Sequence, residues 1–358
     1  MKNRKIILAG GTGFIGQGLI RYFGRDNPIV VFSRLAGKHK NNLGNKRLLT
    51  QADGYEVQYI DWNGRETNER CIRELEGSDL LINLAGKSVN CRYHRKQKEA
   101  IMSSRVESTR ALATAIRRLS QPPSLWINAA SATIYRDTYD RPNDEYNGLI
   151  SDWKNNNMPY NLIDRIRSRK QRLFHNLFHT TGQAAYMNPD LDFSVQVCKA
   201  WESVFSDEPL PLTRKLVLRT AIVLGQGGVM DPFLRLSRSG LGGRLGTGRQ
   251  LFSWIHEEDL ARMIAWLFDN TKQGIYNCAS PNAVTNSDFM KLVRQVSGQS
   301  FGIPAPACLL EVGAWLIGTE TELLLKSRWV TPRKALDEGF QFKFPHLEDA
   351  LRQIINSR

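Results

Sequence analysis

The chain has 358 residues, of which 41% are hydrophobic and 23% charged, with 49 Lys and Arg against 35 Asp and Glu for a formal charge of +14. The length admits one large domain or two of ordinary size, and the balance is that of a soluble globular protein. No apolar run approaches the roughly 18 residues a membrane-spanning helix needs. The basic residues are spread along the chain without an RNA- or DNA-binding motif, so no nucleic acid is expected as a partner.

The first predicted strand, residues 5–9, runs into Gly10-Gly11-Thr12-Gly13-Phe14-Ile15-Gly16, and a helix is expected over Phe14–Phe23 with Ile15, Leu19 and Ile20 on one face. Strand, glycine turn and helix in succession read as a dinucleotide-binding turn. Gly10 allows the tight turn, Gly13 lets backbone approach a pyrophosphate, and Gly16 lets the helix pack closely. The helix N-terminus supplies free N–H donors to the phosphates. Neither a secretory signal nor a cleavable leader is expected ahead of this strand, since removing one would cut into it. The second strand, Ile29–Ser33, ends on Ser33-Arg34 with no acidic residue. Arg34, helped by Ser33 and Lys38, can pair with a 2′-phosphate, which favours NADP(H); the plain alternative is a solvated loop charge. After the third strand, 57–60, Asp61-Trp62 falls where an acid bonds the adenine amino group. The fourth strand, 80–84, ends Asn83-Leu84-Ala85-Gly86, small enough for backbone to lie along a cofactor. A long helix is expected over 96–118, a fifth strand over 125–129 and a further one over 216–223. This alternation argues for a doubly wound parallel sheet, with ligands at the carboxyl ends of the strands.

Other segments leave more than one reading open. Arg92-Tyr93-His94-Arg95-Lys96, and Arg244 and Arg249 around Leu-Gly-Thr-Gly, suit an anion or are solvated charge. Leu162, Ile163, Ile166, Leu173, Phe174, Leu177 and Phe178 fall at helical spacing among five basic residues. That basic amphipathic stretch, 161–178, fits a lid, a protein partner or a peripheral membrane contact. His175 and His179 have the spacing of zinc ligands without a third partner, so no metal is expected. Cys71, Cys91, Cys198, Cys278 and Cys308 are scattered and form no C-x-x-C, which reads as reduced thiols in a cytoplasmic protein. The tail is expected to hold short helices at 307–317, 320–325 and 332–338 and a final helix.

Gly10–Gly16, Asn83–Gly86 and Ser104-Arg105 resemble an extended short-chain dehydrogenase/reductase. Ser131-Ala132-Thr133, residues 197–202, 246–250 and 253–260, Pro304-Ala305-Pro306 and residues 332–340 are together similar to the YfcH-like epimerase family with its C-terminal extra domain. The resemblance covers nearly the whole chain except about 138–190. It implies a Rossmann domain binding NADP(H), a smaller C-terminal substrate region and the name nucleoside-diphosphate-sugar epimerase, the substrates of such proteins being generally unassigned. A working member pairs a Tyr with a Lys four residues on, the Lys lowering the phenol pKa. None of the ten tyrosines has that Lys. Val197 and Trp201 fall at the two positions, while Ser131 stands at the family's active-site Ser. Two further departures border the nicotinamide pocket: Lys87 stands where relatives carry an acid, and Ile134-Tyr135-Arg136-Asp137 replaces a Gly-Tyr-Tyr-Gly type of segment.

The expected architecture is α/β, a Rossmann-type doubly wound parallel sheet with a smaller C-terminal α+β substrate or cap region. Residues 1–137 and 191–260 would form the NADP-binding domain, 138–190 a basic insertion, 225–300 the substrate-side loops and helices, and 301–358 the extra domain. The expected cofactor residues are Gly10, Thr12, Gly13, Phe14, Ile15, Gly16, Ser33, Arg34, Asp61, Trp62, Leu84, Ala85, Gly86 and Arg105. Ser131 and Tyr135 are the catalytic candidates, with His256 and Lys199 as further acid–base groups and Cys198 expected to pack. The substrate is a small anionic molecule such as a nucleotide sugar. The chain is then an epimerase or oxidoreductase, or a catalytically silent NADP(H)-binding sensor.

Overall fold

The computed structural model describes residues 1–34, 53–151, 192–306 and 326–357. Lys38, the basic stretch 161–178 with His175 and His179, Cys308 and the expected helices at 307–317 and 320–325 lie outside the described residues.

Seven parallel strands form the main sheet: β1 (Ile6–Ala9), β2 (Ile29–Ser33), β3 (Val57–Asp61), β4 (Leu80–Asn83), β5 (Leu125–Ser131), β6 (Arg214–Thr220) and β11 (Gly274–Cys278), in the order β11-β6-β5-β4-β1-β2-β3. The order reverses between β1 and β4, which opens a crevice at their carboxyl ends. Strand β1 is buried along its whole length, as a central strand covered on both faces must be. Ile6 and Leu8 pack under Leu19, Ile20 and Phe23 of helix α1 (Phe14–Phe23) and under Leu260, Ile264 and Leu267 of a later helix. Ile7 and Ala9 face α2 (Glu69–Leu75) and the long α3 (Arg95–Ile116), through Leu75, Leu112 and Ile116. Helix α4 (Phe193–Ser206) lies beside α3 and seats Phe205 edge-on against Trp126 at 4.8 Å.

Two features differ from the sequence reading. The expected strand 216–223 is two strands. The chain leaves the main sheet after Thr220, and β7 (Ile222–Gly225) pairs instead with β10 (Trp254–His256) and β8 (Gly227–Gly228). The seventh main-sheet strand, β11, falls within the stretch expected to hold loops and helices. Its outer end, Gly274 and Ile275, is exposed, so its apolar signal is only three residues long.

A second core lies beyond β7. Phe233 of α5 (Met230–Arg238), Phe252 of β9 (Leu251–Phe252) and Phe289 of α7 (Asn286–Val296) stack with ring separations of 4.2 to 6.2 Å; β12 (Val284–Thr285) pairs with β9. Leu351 and Ile354 of α8 (Leu347–Asn356) close it. Helix α6 (Glu257–Asp269) joins the two lobes. Its N-cap, His256, accepts the Glu258 N–H on Nδ1 at 3.1 Å, while Nε2 meets Gln353 Oε1 at 2.8 Å. Asp259 accepts the backbone N–H groups of Lys343 and Phe344, each at 2.8 Å. Both ring nitrogens of His256 are thus engaged in holding this junction.

Burial lowers the His256 pKa from its ordinary value, ahead of the opposing pull of Gln353 and the neighbouring Glu257, Asp259 and Glu258. Its contribution to stability is therefore present above the unfolded value of about 6.5 and lost as pH falls through the folded value. We expect His256→Asn, which retains a capping oxygen, to flatten the loss of stability below about pH 6.5, measured as melting temperature against pH. An unchanged slope would remove His256 from that loss.

The segment 326–331 threads between three parts of the molecule. The Ser327 N–H donates to Asp137 and its hydroxyl to the Thr138 carbonyl. Ser253 Oγ receives the Val330 N–H, the Asn143 N–H donates to the Trp329 carbonyl while the Asn143 carbonyl accepts the Thr331 N–H, and Asn277 Nδ2 donates to the Thr331 carbonyl. Among the described residues no helix is long and apolar enough to cross a membrane.

Candidate functional site

The glycine turn is shaped by two close approaches. Gly10 has φ +80°, and a Cβ there would stand 2.7 Å from Ala85 Cα, so only glycine brings the turn against the end of β4. A Cβ on Gly16 would overlap the Gly11 carbonyl. Gly13 is different: it is exposed, with extended backbone (φ −77°, ψ 177°), and a Cβ there would meet nothing within 4 Å. It caps α1 without a side-chain hydrogen bond, and the first turn holds no acidic residue. The helix terminus therefore faces an open cradle with its N–H dipoles uncompensated, which fits a pyrophosphate.

The turn gathers most of the expected cofactor residues. Thr12 Oγ1 lies 3.4 Å from Ser33 Oγ, Gly10 N donates to the Phe32 carbonyl at 2.8 Å, and Leu84 N donates to the Ala9 carbonyl at 2.8 Å. Arg34 is exposed at the end of β2, with no ion pair among the described residues, and Ser33 is in register with Asp61 on β3. The side chains of Phe14 and Ile15 are half-buried behind the turn, Phe14 against Gly228. Trp62 is the exception. It is 3% exposed, packs at 6.1 Å on Phe32 inside the core, and its indole N–H has no hydrogen-bond partner among the described residues. Strand parity carries this signal: Ile60 and Trp62 point inward, and Asp61 between them points out.

On the other flank of Ala85, Arg105 lies flat against Gly86, where a Cβ would stand 3.1 Å from Cζ. Its Cζ is 5.1 Å from the Trp201 ring centroid, and its Nη1 donates to the Lys87 and Ile101 carbonyls, each at 3.1 Å. Trp201 turns its indole N–H to Thr109 Oγ1 at 3.2 Å, inside a buried network with Asn83 and Asn128. The side chain at the family's lysine position is thus a core residue, and Val197 is buried beside it.

The two catalytic candidates stand apart. Ser131 caps a short 3₁₀ turn, donating to Thr133 Oγ1 at 2.9 Å and accepting the Thr133 N–H at 3.2 Å. The Tyr135 side chain is 1% exposed; its hydroxyl donates to Asn277 Oδ1 and accepts from Arg219 Nη1, both at 2.9 Å. Arg219 makes a two-pronged pair with Glu202 at 2.9 and 2.7 Å. Burial raises the Tyr135 pKa despite the Arg219 charge. This cluster was not legible from spacing, because its members come from four separated segments. Cys198 is buried, and that burial pushes its thiol up to about 12, as suits a packing residue. In the Arg244–Arg249 turn two glycine donors are already used: Gly248 N donates to the Leu245 carbonyl and Gly246 N to the Ala305 carbonyl.

The sheet order and the glycine turn define a Rossmann-type, doubly wound α/β fold. Residues 6–169 match the model of the NAD dependent epimerase/dehydratase family, and residues 305–354 match a domain of unknown function, DUF1731. The chain is 27% identical to the epimerase family protein SDR39U1 of Bos taurus, over 98% of this chain and 99% of that one. It resembles the crystal structure of human epimerase family protein SDR39U1 (isoform2) with NADPH, at 26% identity and a TM-score of 0.71, covering 99% of this chain and 100% of that one. A UDP-N-acetylglucosamine 4-epimerase from Methanobrevibacter ruminantium M1, in complex with UDP-N-acetylmuramic acid, shares the fold at 15% identity and a TM-score of 0.67, covering 99% and 98% of the two chains.

Proposed function

We propose that this chain binds NADP(H) in the crevice between β1 and β4 and acts on an anionic, nucleotide-linked sugar as an epimerase or oxidoreductase. The observation that carries the reading is the open, uncapped Gly13 terminus beside a β2 end that presents Arg34 and no acid. The human relative's structure with NADPH supports it. Gly10, Thr12, Gly13 and the α1 terminus would hold the pyrophosphate, Ser33 and Arg34 the 2′-phosphate, and Asp61 the adenine edge, with Leu84 and Ala85 along the middle. When bound, the cofactor would give or take a hydride at the nicotinamide, on the Ser131 side.

Thermal unfolding with NADPH, NADH or neither tests the cofactor. Saturation at about 100 times Kd adds roughly 2.7 kcal/mol. Arg34→Glu should weaken NADPH binding about tenfold or more, the value of one lost charge-assisted pair, and leave NADH binding less affected. Equal loss of both would remove Arg34 from 2′-phosphate recognition.

The burial of Val197 and Trp201 favours a second reading, an NADP(H)-binding module without turnover. A panel of nucleotide sugars and carbonyl compounds, followed by NADPH absorbance and by product analysis for epimerisation, separates the two. Turnover of any member rejects the silent module.

A further inference from the structure

Two cations at the end of β4 have no counter-ion among the described residues. Arg105 is packed between the Trp201 ring and the Gly86 backbone, which strips water from both faces of its guanidinium. Its Nη1 is spent on two neutral carbonyls, and its Nε and Nη2 have no hydrogen-bond partner among the described residues. Lys87, whose carbonyl takes one of those bonds, makes no ion pair among the described residues either. The Lys87 N–H is held by Ser104 Oγ at 2.9 Å, so this loop is fixed to α3 one residue from Arg105. Carbonyls orient a guanidinium but leave its charge uncancelled, and a partly desolvated cation is costly without an anion. The ionisable groups beside it among the described residues are the Tyr93 phenol and the Cys198 thiol, which burial pushes up to about 12. By contrast, Arg219, one residue in from the end of β6 two strands away, carries its own carboxylate.

Building on the proposed cofactor site, we infer that Lys87 and Arg105 form the receptor for an anionic group of the substrate, a carboxylate or a phosphate. The open edge of a guanidinium takes either in two-pronged fashion, with the ammonium as a second point charge. The place suits the substrate better than the pyrophosphate. The phosphate-binding turn meets the β4 end at Ala85 through Gly10, whereas Arg105 meets it at Gly86, one residue further along. Strand β4 is in register with β5, whose end carries Ser131, so the receptor stands beside the strand end where hydride chemistry is proposed. Arg105, which the sequence placed among the cofactor residues, is by this inference a substrate-binding residue.

The test titrates full-length protein, with and without saturating NADPH, with malonate and separately with inorganic phosphate, following melting temperature and NADPH fluorescence. We expect saturable binding of at least one anion, weakened about tenfold or more by Arg105→Met and by Lys87→Met, each removing a charge-assisted partner. Arg105→Lys should be intermediate, and NADPH affinity should change less than about threefold in all three variants, equivalent to under roughly 0.7 kcal/mol. Which anion binds distinguishes a carboxylate from a phosphate ligand. Anion affinity unchanged in both Met variants overturns the inference, as does loss of NADPH binding in Arg105→Met, which would return Arg105 to the cofactor. The Lys87→Met variant keeps the test decisive if loss of the Trp201 stack prevents Arg105→Met from folding. Failure of the wild-type chain to bind NADPH would reject the proposed function instead, and the titration without NADPH would still decide the receptor.

Discussion

Gly13→Asp is expected to abolish the response to NADPH while leaving the free protein at least as stable as before. Two features of one residue pull in opposite directions. Gly13 has ordinary extended backbone angles and open space where a side chain would go, so aspartate enters without strain. At the N-cap of α1 its carboxylate accepts the second- or third-residue N–H and meets the positive end of the helix, a gain of about 0.5 kcal/mol. The same carboxylate occupies the donors a pyrophosphate would use and repels its charge. A loss of at least about 100-fold in affinity, roughly 2.7 kcal/mol, follows. Melting curves with and without NADPH read both effects at once. A retained ligand shift would move the cofactor away from this turn. Gly16→Ala offers the contrast, because its new methyl group collides with the Gly11 carbonyl and destabilises the free protein.

Arg219→Met is expected to produce the largest loss of stability, about 3–5 kcal/mol, the usual cost of stranding one member of a buried ion pair. The Arg219 and Glu202 side chains are only 9% and 11% exposed. Without Arg219, the Glu202 carboxylate is left in the core with neither charge nor hydrogen bond from its partner. Tyr135 loses a donor and the cation 5.0 Å from its ring centroid. The double variant Arg219→Met with Glu202→Gln should recover much of the loss, since no charge then remains buried. Chemical denaturation of the two variants and the wild type checks this. If the single variant cost less than about 1 kcal/mol, Glu202 would have to reach water or another partner.

The nucleotide half of the molecule was largely legible in the sequence because its determinants are local. The strands that become β1, β2 and β4 are short apolar runs, and the spacing of Gly10, Gly13 and Gly16 needs no distant partner to be read. The reacting half was not legible, because its contacts are long-range. Tyr135 reads as an accessible phenol just past β5, yet Arg219 and Asn277, 84 and 142 residues away, enclose it. Strand β11 escaped notice because only three of its residues are buried, and the break after Thr220 shows only in the pairing of β7 with β10. Trp62, expected beside the cofactor, is buried, and the alternation from Ile60 already pointed it inward.

The threading of residues 326–331 between Asp137, Asn143, Ser253 and Asn277 sets an order of events during synthesis. By the time about a third of the chain has left the ribosome, every residue of the glycine turn and the β4 end exists and can close locally. Asn143, Ser253 and Asn277 then wait, with donors or acceptors unmet, until a segment ending at Thr331, 54 residues beyond the last of them, is made. Contacts of such long sequence separation form slowly. The nascent chain would thus complete the turn well before the contacts that tie Asn143, Ser253 and Asn277 together, and a stalled or shortened product would carry the first without the second.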